Sequence, residues 1–134
     1  MGIGGIMPGQ IEKLTSAIHQ GWSADTTASP DEWDAEDRPS RGQCVPTALV
    51  VQDHTGGSLE RLATEFNGAR ETHYRNIGDD GTITDLTRDQ YPEDQEFVPA
   101  PVDGDVREYV LGNVNTRRRY LLLAGAVEKL LELE

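Results

Sequence analysis

Gly42-Gln43-Cys44-Val45-Pro46-Thr47-Ala48-Leu49-Val50-Val51-Gln52 is the stretch whose reading decides the fold. Pro46 suits the first turn of a helix, where its missing N–H is not needed, and Ala48 to Val51 is apolar on every side, as in a buried helix. Gly56-Gly57 closes the segment. Cys44, the single cysteine of the chain, then stands at or just before the first helical residue. It faces unpaired backbone N–H groups and the positive end of the helix dipole, where thiols lose their protons most readily.

Working outward, Pro8 opens a helix over residues 8 to 22 with Ile11, Leu14, Ile18 and Trp22 on one stripe. Residues 23 to 41 form a polar loop with Trp33 as its single large apolar group; Trp33 either borders the cleft in front of Cys44 or simply anchors the loop. Downstream, Leu59, Leu62 and Phe66 recur at helical spacing, so residues 58 to 67 read as a short helix or turn. Thr72 to Ile77 and Thr82 to Leu86 read as strands joined by Asp79-Asp80-Gly81. The acidic, proline-containing residues 91 to 104 form an extended connection with a short strand at Glu96 to Val98. A helix over 105 to 112 follows, and Asn115-Thr116 caps a last helix carrying Tyr120, Leu121, Leu123, Ala124, Val127, Leu130 and Leu131.

The expectation is an α+β fold in which the Cys44 helix packs on a small antiparallel sheet. Residues 1 to 7 read as a disordered terminus, 8 to 132 as one domain, and Leu133-Glu134 as a cloning scar.

A cysteine nucleophile needs an imidazole, and the imidazole needs a partner that fixes its ring. His73 opens a strand, so the hairpin register decides what can join it. Asp-Asp-Gly fits a three-residue loop ending in glycine at positive φ, which pairs Gly78 with Thr82 and Arg75 with Asp85. His73, Arg75, Asp85 and Thr87 then share one face, and Tyr74 and Asn76 the other. Asp85 lies diagonal to His73, within side-chain reach. A two-residue loop would turn Asp85 to the opposite face. Asn76 is the other candidate for the third position, and its face argues against it.

Gly42-Gln43-Cys44, Thr47 to Asp53, Gly56-Gly57, His73-Tyr74-Arg75-Asn76 and Asp85-Leu86-Thr87-Arg88-Asp89-Gln90-Tyr91 resemble the signature of the YunG-like proteins, a small bacterial group, over roughly residues 11 to 120. That group is in turn similar in layout to papain-like cysteine proteins: a thiol at the start of a central helix, then a histidine and a carboxylate or amide on successive strands. The resemblance implies Cys44 as nucleophile, His73 as general base and Asp85 as the residue that orients the ring. Gln43 matches the group's Gln beside Cys and is a candidate oxyanion or substrate contact, although papain-type enzymes place their oxyanion Gln several residues upstream.

Twenty-four acidic against twelve basic residues give a formal charge of −12. Such a surface repels nucleic-acid phosphates and anionic membranes, so neither is expected as a partner. The one basic run, Arg117-Arg118-Arg119, reads as a solvated helix start. No apolar run has bilayer-spanning length, and one cysteine excludes an internal disulfide framework, which together point to a cytoplasmic protein. Cys44, His54 and His73 lack the close ligand pairs of a zinc site, so no metal is expected, and thiol chemistry of this type needs no cofactor. Asp79 and Asp80 suffice as turn residues without calcium.

Two functions from different classes follow. The first is a papain-like thiol hydrolase or acyltransferase acting on an amide, ester or thioester. The second is a non-catalytic interaction module with the same fold, in which Cys44 is only a small buried hydrophobe. Substrate, protein partner and oligomeric state are open at this level.

Overall fold

The computed structural model describes residues 8–133; the expected disordered segment over residues 1 to 7 lies outside them. The elements are α1 (Pro8–Gly21), α2 (Cys44–Thr55), β1 (Ser58–Phe66), β2 (Ala69–Ile77), β3 (Ile83–Thr84), β4 (Val98–Pro99), α3 (Val106–Leu111) and α4 (Val114–Glu132), with a 3-10 turn over Arg88–Gln90. The strands form one antiparallel sheet in the order β3-β2-β1-β4. No described helix is long and apolar enough to cross a membrane.

The run Ala48 to Val51 makes α2 the centre of the molecule because it is apolar all round and therefore needs two partners. On one side Val50 and Val51 pack with Leu14, Ala17 and Ile18 of α1 and Leu123 and Val127 of α4. On the other, Ala48 and Leu49 pack with Leu59 of β1, Tyr74 of β2 and Val110 of α3. Each fully buried aliphatic side chain here contributes roughly 1.5–3 kcal/mol of transfer free energy. The Trp22 indole, at the end of the α1 stripe, donates to Thr47 Oγ1 at 2.9 Å and ties the first helix to the start of α2.

The segment 58 to 67 corrects the sequence reading: it is the long strand β1, not a helix or turn. It pairs with β2 over nine positions, from Ser58 opposite Ile77 to Phe66 opposite Ala69. Leu59 and Ala63 are buried on one face and Leu62 and Thr64 on the other, so its apolar residues do not alternate. A strand covered on both faces loses the period of two that identifies it. The turn is Asn67-Gly68, with φ of 53° and 79°, the two-residue hairpin geometry in which both central residues are left-handed.

The second hairpin has the expected register. Gly78 N–H donates to Thr82 O at 2.8 Å, Ile77 pairs with Ile83, and Asn76 with Thr84. Gly81 has φ 87°, and Gly81 N–H closes the turn on Gly78 O at 2.9 Å. The ladder is shorter than read from sequence: β3 ends at Thr84, and Asp85 begins a bend that leads into the 3-10 turn. β4 likewise falls at Val98–Pro99 rather than Glu96 to Val98. The cap of α4 is Asn113, not Asn115-Thr116: its side-chain oxygen accepts from the amides of Asn115 at 2.9 Å and Thr116 at 3.0 Å.

Candidate functional site

Cys44 is the first residue of α2. The first intrahelical amide bond runs from Thr47 N–H to Gln43 O at 3.1 Å. The N–H groups of Cys44 and Val45 precede it and have no acceptor within the helix. Cys44 and Val45 both line a cleft of about 710 Å³. One wall is the α2 start with Arg41 and Gly42; the facing wall is the corner between α3 and α4, with Tyr109, Asn113 and Arg119; β2 and the 3-10 turn supply Glu71, Tyr74 and Gln90.

Behind the cysteine, His73 is fully buried. Its ring is packed edge-on by Tyr91, with centroids 5.3 Å apart, and lies tilted against Phe97 at 5.2 Å. Nε2 and Asp85 Oδ2 are 2.7 Å apart. The hairpin register therefore delivers the carboxylate to the imidazole, as its diagonal placement requires. Nδ1 has no partner in full hydrogen-bond geometry. Cys44 is near enough to act on the imidazole electrostatically.

Burial pushes the His73 imidazolium towards losing its proton. The Asp85 hydrogen bond and the interaction with Cys44, together with the charges of both, outweigh that and raise the group to about 9. At neutral pH the ring is a cation whose Nε2–H donates to Asp85 and whose Nδ1–H has no acceptor in hydrogen-bond geometry.

A second polar cluster supports this one. Arg41, itself buried, grips Glu71 with two nitrogens at 2.9 and 2.6 Å and reaches Glu32 at 2.9 Å. The Tyr91 hydroxyl donates to Glu71 Oε1 at 3.0 Å, which holds the ring that packs on His73. The Arg41 hydrogen bonds hold the Glu71 carboxyl below its usual range, with burial opposing them. Gln90 Oε1 accepts from Gly42 N–H at 3.1 Å and Arg41 Nη1 at 3.2 Å, so the loop just before Cys44 is clamped to the 3-10 turn.

Cys44, His73 and Asp85 are thus brought together, and three expected neighbours are not. Asn76 turns its amide to Ala48 O at 2.9 Å on the other face of β2, so it does not meet the imidazole. Gln43 does not serve the cleft: it is fully buried, its Nε2 donates to Ser23 O at 3.1 Å, and its Oε1 accepts from Thr26 at 2.8 Å. It fastens the preceding loop to α2. Trp33 donates to Pro39 O at 2.8 Å within its own loop and is not part of the cleft lining.

Sequence reasoning missed Arg41, Glu71 and Gln90, which are far apart in the chain and share no spacing. It also merged Arg119 with two solvated neighbours. Helical period separates them: Thr116, Arg119, Tyr120, Leu123 and Val127 follow the inner face of α4, while Arg117 and Arg118 are exposed.

A family profile described as YunG protein matches residues 10–132. The uncharacterised protein YunG of Bacillus subtilis (strain 168) is 31% identical over 91 residues, covering 68% of this chain and 71% of that protein. No solved structure matches. With nearly the whole chain under the profile and a relative of that similarity, this protein belongs to the YunG family.

Proposed function

We propose that the protein is a thiol hydrolase or acyltransferase of papain-like layout, acting on an amide, ester or thioester with Cys44 as nucleophile, His73 as proton shuttle and Asp85 as the residue that holds the ring. The observation that carries the reading is a buried imidazole with a carboxylate 2.7 Å from Nε2 and an unpartnered Nδ1, close enough to the cleft-lining Cys44 for the two to interact electrostatically. An imidazolium stabilises a neighbouring thiolate, and a purely structural histidine would ordinarily have a partner on its second buried nitrogen, which His73 lacks.

In this reading the Cys44 thiolate attacks the substrate carbonyl carbon and forms the C–S bond. The oxyanion is met by the backbone N–H groups at the start of α2. His73 Nδ1–H gives its proton to the departing amine, alkoxide or thiolate as that bond breaks. Water, or an acceptor nucleophile, then attacks the thioester, returns a proton to His73 and frees the cysteine.

The test is the rate of Cys44 alkylation by iodoacetamide at neutral pH, followed by mass spectrometry. His73→Ala should slow it by about a hundredfold, within the usual range for a positioned acid–base partner. Equal rates in the two proteins would reject the activated-thiol reading and leave the fold as a binding module.

A further inference from the structure

The cleft in front of Cys44 has the opposite sign to the rest of the chain. The formal charge is −12, yet the lining holds Arg41, Arg70 and Arg119 against one carboxylate, Glu71. Arg41 engages Glu71 and is further neutralised by Glu32. Arg119 has no such partner. Among the described residues no carboxylate lies within ion-pair distance of it, although acidic residues outnumber basic ones two to one.

Arg119 is also not simply solvated. It is half-buried, its Nη2 donates to Thr116 Oγ1 at 3.2 Å, and its Nε is buried with no acceptor. Burial and the neighbouring Arg118 both disfavour its charged form, and negative charge on Cys44 favours it. Arg119 and Cys44 line the same cleft.

The same lining has a second unmatched donor. Gln90 is more than nine-tenths buried, and its Oε1 is fixed by Gly42 and Arg41, so its amide cannot turn over. Its Nε2 has no acceptor. Buried donors of this kind normally have partners. Two such donors on residues lining one cleft of an acidic protein, one of them on the unpaired Arg119 guanidinium itself, suit a ligand with anionic oxygens.

We infer that Arg119 forms an anion subsite beside Cys44, and that the acyl compound attacked there carries a carboxylate on the side facing α4. The inference rests on Cys44 being the reactive group. A guanidinium fork suits a carboxylate because it offers two parallel N–H donors.

Alkylation by iodoacetate and by iodoacetamide separates the two ideas, since the reagents share the leaving group and differ in charge. The full chain is treated with each at neutral pH and low salt. The iodoacetate-to-iodoacetamide rate ratio at Cys44 should fall about tenfold in Arg119→Gln, the scale of enrichment expected from a charged cleft. It should persist in Arg119→Lys and in Arg118→Gln, and decline as salt screens the cation.

An unchanged ratio in Arg119→Gln, with iodoacetamide reactivity intact, overturns the anion subsite and leaves the thiol reading standing. Loss of the His73 dependence of the iodoacetamide rate overturns the thiol reading instead. Should Arg119→Gln not fold, protection of the wild-type chain from iodoacetamide by succinate and by uncharged succinamide gives the answer: preferential protection by succinate supports the subsite, and equal protection removes it.

Discussion

The two faces of β2 hold their neighbours by different means. On one, Tyr74 packs with Ala48 and Leu49 and Asn76 donates to Ala48 O, so apolar contact and a neutral hydrogen bond fix the sheet to α2. On the other, His73 sits between Asp85, the Cys44 sulfur and the Tyr91 and Phe97 rings. The first face works at any pH at which the chain folds. The second is an assembly of titrating groups, and its strength depends on which of them are charged. Adjacent residues of one strand thus separate apolar packing from a titrating cluster, because successive side chains point to opposite sides of the sheet.

The largest expected effect tests that separation directly. His73→Ala should lower the iodoacetamide rate at Cys44 by about a hundredfold, whereas Asn76→Ala should change it by no more than about threefold. Comparable losses from both would show that Cys44 reactivity depends on the general packing of β2 rather than on the imidazole.

The next effect is a dependence of stability on pH. The folded group is raised from 6.5 to about 9. A raised histidine contributes its stability in full below the unfolded value and loses it as pH rises through the folded one. The contribution is on the order of 3 kcal/mol and fades between those limits. Chemical denaturation at successive pH values should show this loss in the wild type and in Asn76→Ala, but not in His73→Gln. On the acid side the sign reverses: Glu71, lowered chiefly by Arg41, contributes stability that disappears as pH falls through its depressed value.

Asn76→Ala itself should cost about 1 kcal/mol, the usual net worth of one buried hydrogen bond, because Ala48 O keeps its intrahelical donor. Its denaturation midpoint should shift at every pH by a similar amount. A shift confined to alkaline pH would mean that the two faces are coupled and the comparison fails.

How much of this was legible depended on which signal was strongest in each segment. Ala48 to Val51 is apolar all round, so the buried helix and its thiol at the start could be read from composition alone. Asp79-Asp80-Gly81 has one glycine at the position that needs positive φ, and that set the register carrying Asp85 to His73. Residues 58 to 67 failed because Leu59, Leu62 and Phe66 imitate a helix while burial on both faces of β1 hides its alternation. Asn67-Gly68 was the stronger signal there, since two successive left-handed residues belong to a hairpin and not to a helix. Arg41 with Glu71 and Glu32 could not be read at all: long-range pairs leave no period in a sequence.

The smallest effect concerns that turn chemistry. Gly81 has φ 87°, and a Cβ built there meets nothing within 4 Å. Gly81→Ala should therefore cost only the left-handed backbone term, about 1 kcal/mol, and Gly81→Asn should recover most of it because asparagine visits that region. Gly68 has the same kind of geometry, with φ 79° and the same open surroundings, so Gly68→Ala should match it in stability. The two should differ in reactivity. Gly68 joins strands locked by nine pairs, whereas Gly81 joins a ladder of only two, so relaxation of its turn moves Asp85 away from the imidazole. Iodoacetamide rates should thus decline in Gly81→Ala and hold in Gly68→Ala. Equal rates would mean that Asp85 is placed by the bend after β3 and the 3-10 turn rather than by the hairpin.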